Sequence, residues 1–343
     1  MKILTLFDDR PDGPGLQDML LASLGYGLAR AFGTTNVEDY FRQPQARGAD
    51  YAMQSWPVFL GATTRYGMPD GMMLPLGRYD LQFVSTRFLT HAVQEGLCSD
   101  FDHHFICEHL VPEKTVLIDS SDDPPIWYAD HWRMWFQTPP HLFLARPSNH
   151  GPFQADTCEM TAHISVPYEH IWRQMAYGVP PQAVLNPTVF AAMSDNHLLR
   201  REVMQRLAEA PPPSSVLRWG SGSGFRIERT LPPIAPPGYY HEMATAGVVV
   251  ACRGGNRDTL RVWEALALGR ALVTDDFGFS GFIGGEHVLY YKTADEMLQQ
   301  VWRLIADHDL RKNLAKNSHQ LYLTRHTPEQ QAFRIVQEAI KHV

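Results

Sequence analysis

Residues 247–252 (GVVVAC) form an unbroken apolar run. Arg253-Gly254-Gly255-Asn256 follow, then a helical stretch over 257–268 that Gly269 ends. A run of this length fits a strand, and an apolar run without alternation fits a strand covered on both faces. Such strands belong to parallel sheets between helices, so this one unit limits the chain to the α/β class. The chain opens the same way. Residues 2–7 (KILTLF) are bounded by Asp8-Asp9, a Pro/Gly turn runs through 10–15, and 16–32 reads as a helix ended by Gly33. Further strands are expected at 80–85, 114–119, 141–145, 187–193, 215–219, 270–274 and 287–291. Helices are expected at 86–97, 195–209 (capped by Asp195), 239–245, 293–307, 308–323 and 328–342.

With 343 residues, two domains are expected. The stretch 147–187 is loop-rich, with prolines at 147, 152, 167, 180, 181 and 187. It divides the chain into 1–165, a linker at 166–186, and 187–327. The last helix, within 328–343, is expected to pack back on the first domain. A 44% apolar and 20% charged composition excludes a disordered chain, and a net charge of −7 argues against a large basic nucleic-acid face. The four cysteines form no CxxC pair and read as reduced thiols. No apolar run approaches a membrane span of about 20 residues. The opening MKILTLFDD turns acidic too soon for a signal peptide. A cytoplasmic protein is expected.

A helix that starts at the carboxyl end of a buried strand presents free N–H groups and a positive dipole end, an anion site suited to a diphosphate. Arg253, Arg257 and Arg261 add charge there. Arg257, Arg261 and Glu264 fall on adjacent turns and predict a polar helix face, with Leu260, Trp263, Leu266 and Ala267 toward the sheet. A carboxylate about two turns into the helix can accept hydrogen bonds from ribose hydroxyls. The spacing equally fits an amphipathic surface helix with an Arg261–Glu264 ion pair.

The run Asp258-Thr259-Leu260-Arg261-Val262-Trp263-Glu264-Ala265-Leu266-Ala267-Leu268-Gly269 resembles the Ser/Thr-x-Arg-x-x-Glu-Ala-x-x-x-Gly signature of GT-B glycosyltransferases, nearest to spore-maturation-type and exostosin-like members. Tyr239-Tyr240 ahead of Gly247-Val248-Val249-Val250 resembles their lead-in. Val189-Phe190-Ala191-Ala192 with Arg200-Arg201 resembles the opening of their second domain. The resemblance covers about 187–325. It implies two Rossmann-like, doubly wound domains facing across a cleft. It also implies transfer of a hexosyl or pentosyl group from a nucleotide-sugar donor, of UDP or GDP type, to an acceptor hydroxyl. The donor residues it implies are Arg253, Gly254, Gly255, Asn256, Thr259, Arg261 and Glu264, with Glu264 on the ribose. Asn256 stands where many retaining members carry a second Glu. A non-catalytic binding protein on the same scaffold is therefore the alternative.

Catalytic groups are then expected from the first domain. Asp12 and Asp122 are the best-placed general bases at strand ends, and Trp127, His131 and His150 are acceptor-binding candidates. The helix start and arginines can stabilise a leaving diphosphate, so no cofactor and no metal are expected. The acceptor stays open among a sugar, a glycan, a protein and a modified nucleic-acid base. Asp100-Phe101-Asp102 spells a DxD, and His103, His104, Cys107 and His109 are zinc-type ligands, but neither has a supporting second cluster. The 221–224 Ser/Gly loop lacks the Gly-Lys-Ser/Thr of a phosphate-binding P-loop.

Overall fold

The structure, a computed structural model, describes residues 1–6, 19–33, 36–41, 63–66, 79–86, 110–119, 132, 136, 138, 140–145, 158–161, 186–220, 226–234, 238–254, 259–276 and 281–341. The chain divides into two compact units. The first joins Met1–Ser165 to Pro328–Val343, and the second is Val166–Thr327.

The first unit holds a wholly parallel sheet of β1 (Ile3–Leu6), β2 (Val37–Phe41), β3 (Thr63–Tyr66), β4 (Leu81–Ser85), β5 (Thr115–Asp119), β6 (Leu142–Ala145) and β7 (Cys158–Thr161). Its spatial order is β3-β2-β1-β4-β5-β6-β7, the Rossmann order with one strand added. The central strands β1, β4 and β5 are buried at every position, as sheets covered on both faces require. Three strands fall where none was expected. β7 lies inside the stretch read as loop-rich, and β2 (VEDYF) and β3 (TTRY) carry polar side chains that hide a strand signal.

Helix α1 (Met19–Phe32) packs against α7 (Pro328–Ile340) within this unit. The buried positions of α7, Pro328, Gln331, Ala332, Ile335, Val336 and Ala339, follow helical spacing and form one stripe. Phe32 and Phe333 stack with ring centroids 6.3 Å apart, and His141 donates from Nε2 to the Ala339 carbonyl at 2.6 Å. The closest approach is at Gly27, where a Cβ would stand 2.0 Å from the Pro328 carbonyl oxygen.

The second unit is also wholly parallel: β8 (Val189–Ser194), β9 (Val216–Gly220), β10 (Val248–Ala251), β11 (Ala271–Thr274) and β12 (Leu289–Tyr290). Its order, β12-β11-β10-β8-β9, is the 2-1-3-4-5 doubly wound arrangement. Helices α2 (Leu198–Glu209), α3 (Gly238–Thr245), α4 (Leu260–Ala267), α5 (Ala294–Ala306) and α6 (His308–Arg325) complete it. The core joins Val189, Val203, Leu207, Val250, Val273, Val301 and Leu314 from five of these elements and β8. Asp195 does not cap α2. His197 does, its Nδ1 accepting from Leu199 N at 3.2 Å, while Asp195 pairs with Arg201.

Helix α4 ends in a Schellman motif. Gly269 has φ +65°, its N–H bonds the Leu266 carbonyl, and Arg270 N–H bonds that of Ala265. His319 of α6 packs there and donates from Nδ1 to the Leu266 carbonyl at 2.9 Å. Burial lowers the pKa of His319 from 6.5, against the Leu266 carbonyl, which favours the charged ring, and together with Arg270, which opposes it. The unfolded chain therefore binds this proton first, and stability drops as pH falls through about 6.5. The melting temperature is expected to decline between pH 7 and pH 5.5, and less so in His319→Asn, which can keep the hydrogen bond. His197, lowered likewise by burial and then by Arg253, supplies a residual slope. Equal declines in wild type and variant would remove His319 from the account.

Candidate functional site

In a doubly wound sheet, ligands bind beyond the strands' carboxyl ends, at the point where strand order reverses. In the second unit that point lies between β8 and β10. Both strands end in polar residues: Ser194, Asp195, Asn196 and His197 after β8, and Arg253 and Gly254 after β10. Arg200, from the first turn of α2, joins the two ends. It donates to Ser194 Oγ at 3.1 Å and Asn196 Oδ1 at 2.7 Å on one side, and to the Cys252 and Arg253 carbonyls at 3.2 Å and 2.8 Å on the other. Arg253 is fixed by Asp275, which follows β11. Its backbone N–H donates to Oδ1 at 2.9 Å and its Nε bonds Oδ2. Burial raises the Asp275 carboxyl pKa, and the Arg253 bonds pull the other way.

Thr259 is the N-cap residue of α4, but its hydroxyl makes no capping bond. Its Oγ1 is buried and has no hydrogen-bond partner in the structure, as is true of Thr274 Oγ1 at the end of β11. The start of α4 thus keeps an unsatisfied hydroxyl as well as free backbone donors.

Glu264 does not lie on a polar face. It is 2% exposed and falls in register with Trp263 and Ala267 on the buried side of α4. Its Oε2 accepts from the Tyr239 hydroxyl and its Oε1 from the Tyr240 hydroxyl, each at 2.7 Å. Arg261 makes no ion pair with Glu264. It donates from Nε to Tyr239 Oη at 3.1 Å, and its guanidinium lies 6.0 Å from the centroid of that ring. This overturns the surface helix with an Arg261–Glu264 pair. Burial raises the Glu264 pKa, opposed by Arg261 and then by the two tyrosine bonds. At the far end of the same helix pair, Arg270, 2% exposed, donates to the Ala244 and Leu268 carbonyls. α3 and α4 are thereby tied at both ends.

Arg253, Gly254, Thr259, Arg261 and Glu264 all stand on this one unit, at its carboxyl edge or in α4. Gly255, Asn256, Asp12, Asp122, Trp127, His131, His150, the DxD and the zinc-type residues lie outside the described residues. Asp119, another strand-end acid, closes β5 and is 4% exposed. Among the described residues no group of three or more His, Cys, Asp or Glu side chains could hold a metal, and no helix is long and apolar enough to cross a membrane. Sequence reasoning missed Arg200, Asn196 and Asp275 as site residues. The signal for Arg200 was present: with Val203, Met204 and Leu207 it keeps the spacing of an apolar stripe.

Residues 200–337, less than half of the chain, match the family model described as Glycosyl transferase-like. A search of the curated proteins finds no match. Among solved structures, Anabaena Alr3699/HepE in complex with UDP and glucose aligns with a TM-score of 0.60 at 14% identity, covering 99% of this chain and 100% of that one. An alpha-glucosyltransferase in complex with UDP-glucose and abasic-site DNA aligns with a TM-score of 0.63 at 9% identity, covering 100% and 99%. Sucrose-phosphate synthase from Thermosynechococcus elongatus gives 0.58 at 13% identity, covering 99% and 98%. The fold, α/β with two parallel sheets, is that of GT-B glycosyltransferase structures.

Proposed function

We propose that the chain is a nucleotide-sugar-dependent glycosyltransferase that moves a hexosyl or pentosyl group to an acceptor hydroxyl. The observation that carries this reading is the carboxyl edge of the second sheet, where the start of α4, Arg253, Arg261 and the unpartnered Thr259 hydroxyl share one unit with a buried carboxylate. The donor diphosphate meets the α4 start and Arg253. Its leaving charge is stabilised there without a metal or other cofactor. Glu264, held by two tyrosines, keeps one lone pair on each oxygen for the ribose diol. UDP-glucose is the first donor to test, since HepE and the alpha-glucosyltransferase were solved with UDP or UDP-glucose. The acceptor falls to the first unit, with Asp12 or Asp122 as general base and Trp127, His131 and His150 as contacts. The setting is cytoplasmic.

Asn256, standing where many retaining enzymes carry Glu, favours one second reading, a binding protein that has kept the scaffold without catalysis. A melting-temperature panel of UDP, GDP, ADP and CMP tests the donor site. One of them at 100 times its Kd is expected to add about 2.7 kcal/mol of stability. Slow release of UDP from UDP-glucose, or of GDP from GDP-mannose, then separates enzyme from binding protein. A panel without any shift would overturn both readings.

A further inference from the structure

Arg200 is 7% exposed, yet every acceptor it uses among the described residues is uncharged. Asp275, a carboxylate whose charge it feels, is bonded to Arg253. Burial and then the charge of Arg261 lower its pKa to about 10, so it is a cation at neutral pH. A buried cation without an anion is costly, and the two guanidiniums repel until one joins them.

The donors can be counted. The single N–H of Nε is shared between the Cys252 and Arg253 carbonyls. Both hydrogens of Nη1 are used, on Ser194 Oγ and Asn196 Oδ1. Nη2 gives one hydrogen to the Cys252 carbonyl at 3.1 Å, and its second meets no acceptor among the described residues. The amide nitrogen of Asn196 likewise has no acceptor there. These two spare donors flank one bare place. A Cβ on Gly254 would stand 2.9 Å from Arg200 Nη2 and 3.3 Å from Asn196 Nδ2. The missing side chain leaves open the space on which both converge, at the switch point between β8 and β10.

We propose that Arg200 and Asn196, over the bare Cα of Gly254, form a phosphate-oxygen subsite that makes the chain prefer a nucleoside diphosphate to the monophosphate. This rests on the nucleotide-donor reading above. A guanidinium whose other N–H groups are fixed to strand ends presents its last one in a set direction, which a lysine cannot reproduce.

Calorimetric titration of the full chain with UDP, UMP, GDP and GMP tests it, on wild type, Asn196→Ala, Gly254→Ala and Arg200→Lys. Wild type binds one diphosphate more tightly than its monophosphate. Each variant is expected to weaken that diphosphate about tenfold, as the loss of a charge-assisted hydrogen bond does, while the monophosphate changes by less than about twofold. Asn196 is exposed, so its variant keeps the fold and decides the matter should Arg200→Lys melt early. Diphosphate and monophosphate weakened equally, or neither weakened, in the folded variants would overturn the subsite and leave the donor reading standing. A wild type that binds none of the four nucleotides would overturn both.

Discussion

Glu264→Ala is expected to abolish most of the melting-temperature rise that the matching nucleoside diphosphate gives wild type, and to lower the melting temperature of the free protein as well. The two effects have separate causes. Without the carboxylate the ribose hydroxyls lose their acceptor, and most of the roughly 2.7 kcal/mol gained at 100 times Kd disappears. In the free protein, the Tyr239 and Tyr240 hydroxyls lose the oxygens they bond at 2.7 Å, and both rings are held in the α3–α4 contact. A buried donor left unsatisfied costs about 1–3 kcal/mol. Glu264→Gln keeps the shape and one carbonyl oxygen, so it should recover much of the stability and only part of the nucleotide response. A Glu264→Ala protein that binds the nucleotide as wild type does would show the carboxylate to be a tie between α3 and α4 and no more.

The second large effect is far from that helix. Gly27→Ala should destabilise the first unit by about 3 kcal/mol or more, a drop of about 6–12 °C in its melting temperature. Alanine favours a helix interior over glycine by about 1 kcal/mol, so on propensity alone the change would stabilise α1. Sterics decide otherwise. The new Cβ would lie 2.0 Å from the Pro328 carbonyl oxygen and 2.5 Å from its carbon, and these are backbone atoms at the first residue of α7 that no rotamer can move. The clash is relieved only if α7 shifts away from α1, which gives up part of the contact of Ala332, Ile335 and Val336. An unchanged or raised melting temperature in the variant would mean that the two helices do not meet this closely.

The parallel sheets were legible because their inner strands are buried on both faces and read as short apolar runs. β10 (VVVA) and β11 (ALVT) show it most plainly. β2, β3 and β7 were not legible. β3 and β7 are the edges of the seven-stranded sheet and β2 adjoins one, and such strands carry charged and polar residues that mask the pattern. The anion-binding character of the α4 start was readable from strand, turn and helix alone. The burial of Glu264 was not, because its helical neighbours include Arg261 as well as Trp263, and only packing against the two tyrosines of α3 decides between the faces. Arg200 could have been found from its place on an apolar stripe. Arg311 shows why that sign is not sufficient: it is 3% exposed on the stripe of Leu314, Ala315 and Ser318, yet it binds the terminal carbonyls of α5 and serves the fold.

The first unit is discontinuous in sequence. Its sheet comes from the opening 165 residues, but the helix that covers Gly27 is the last to be made. On a ribosome, where domains fold as units from the N-terminus onward, this order is inverted. The second unit, one continuous stretch, can close while α1 still waits for its partner. The first unit is finished only when the terminal residues leave the exit tunnel. A chain stopped short of them leaves the Leu20–Leu28 side of α1 open to water, and a quality-control system would meet it as an unfinished protein.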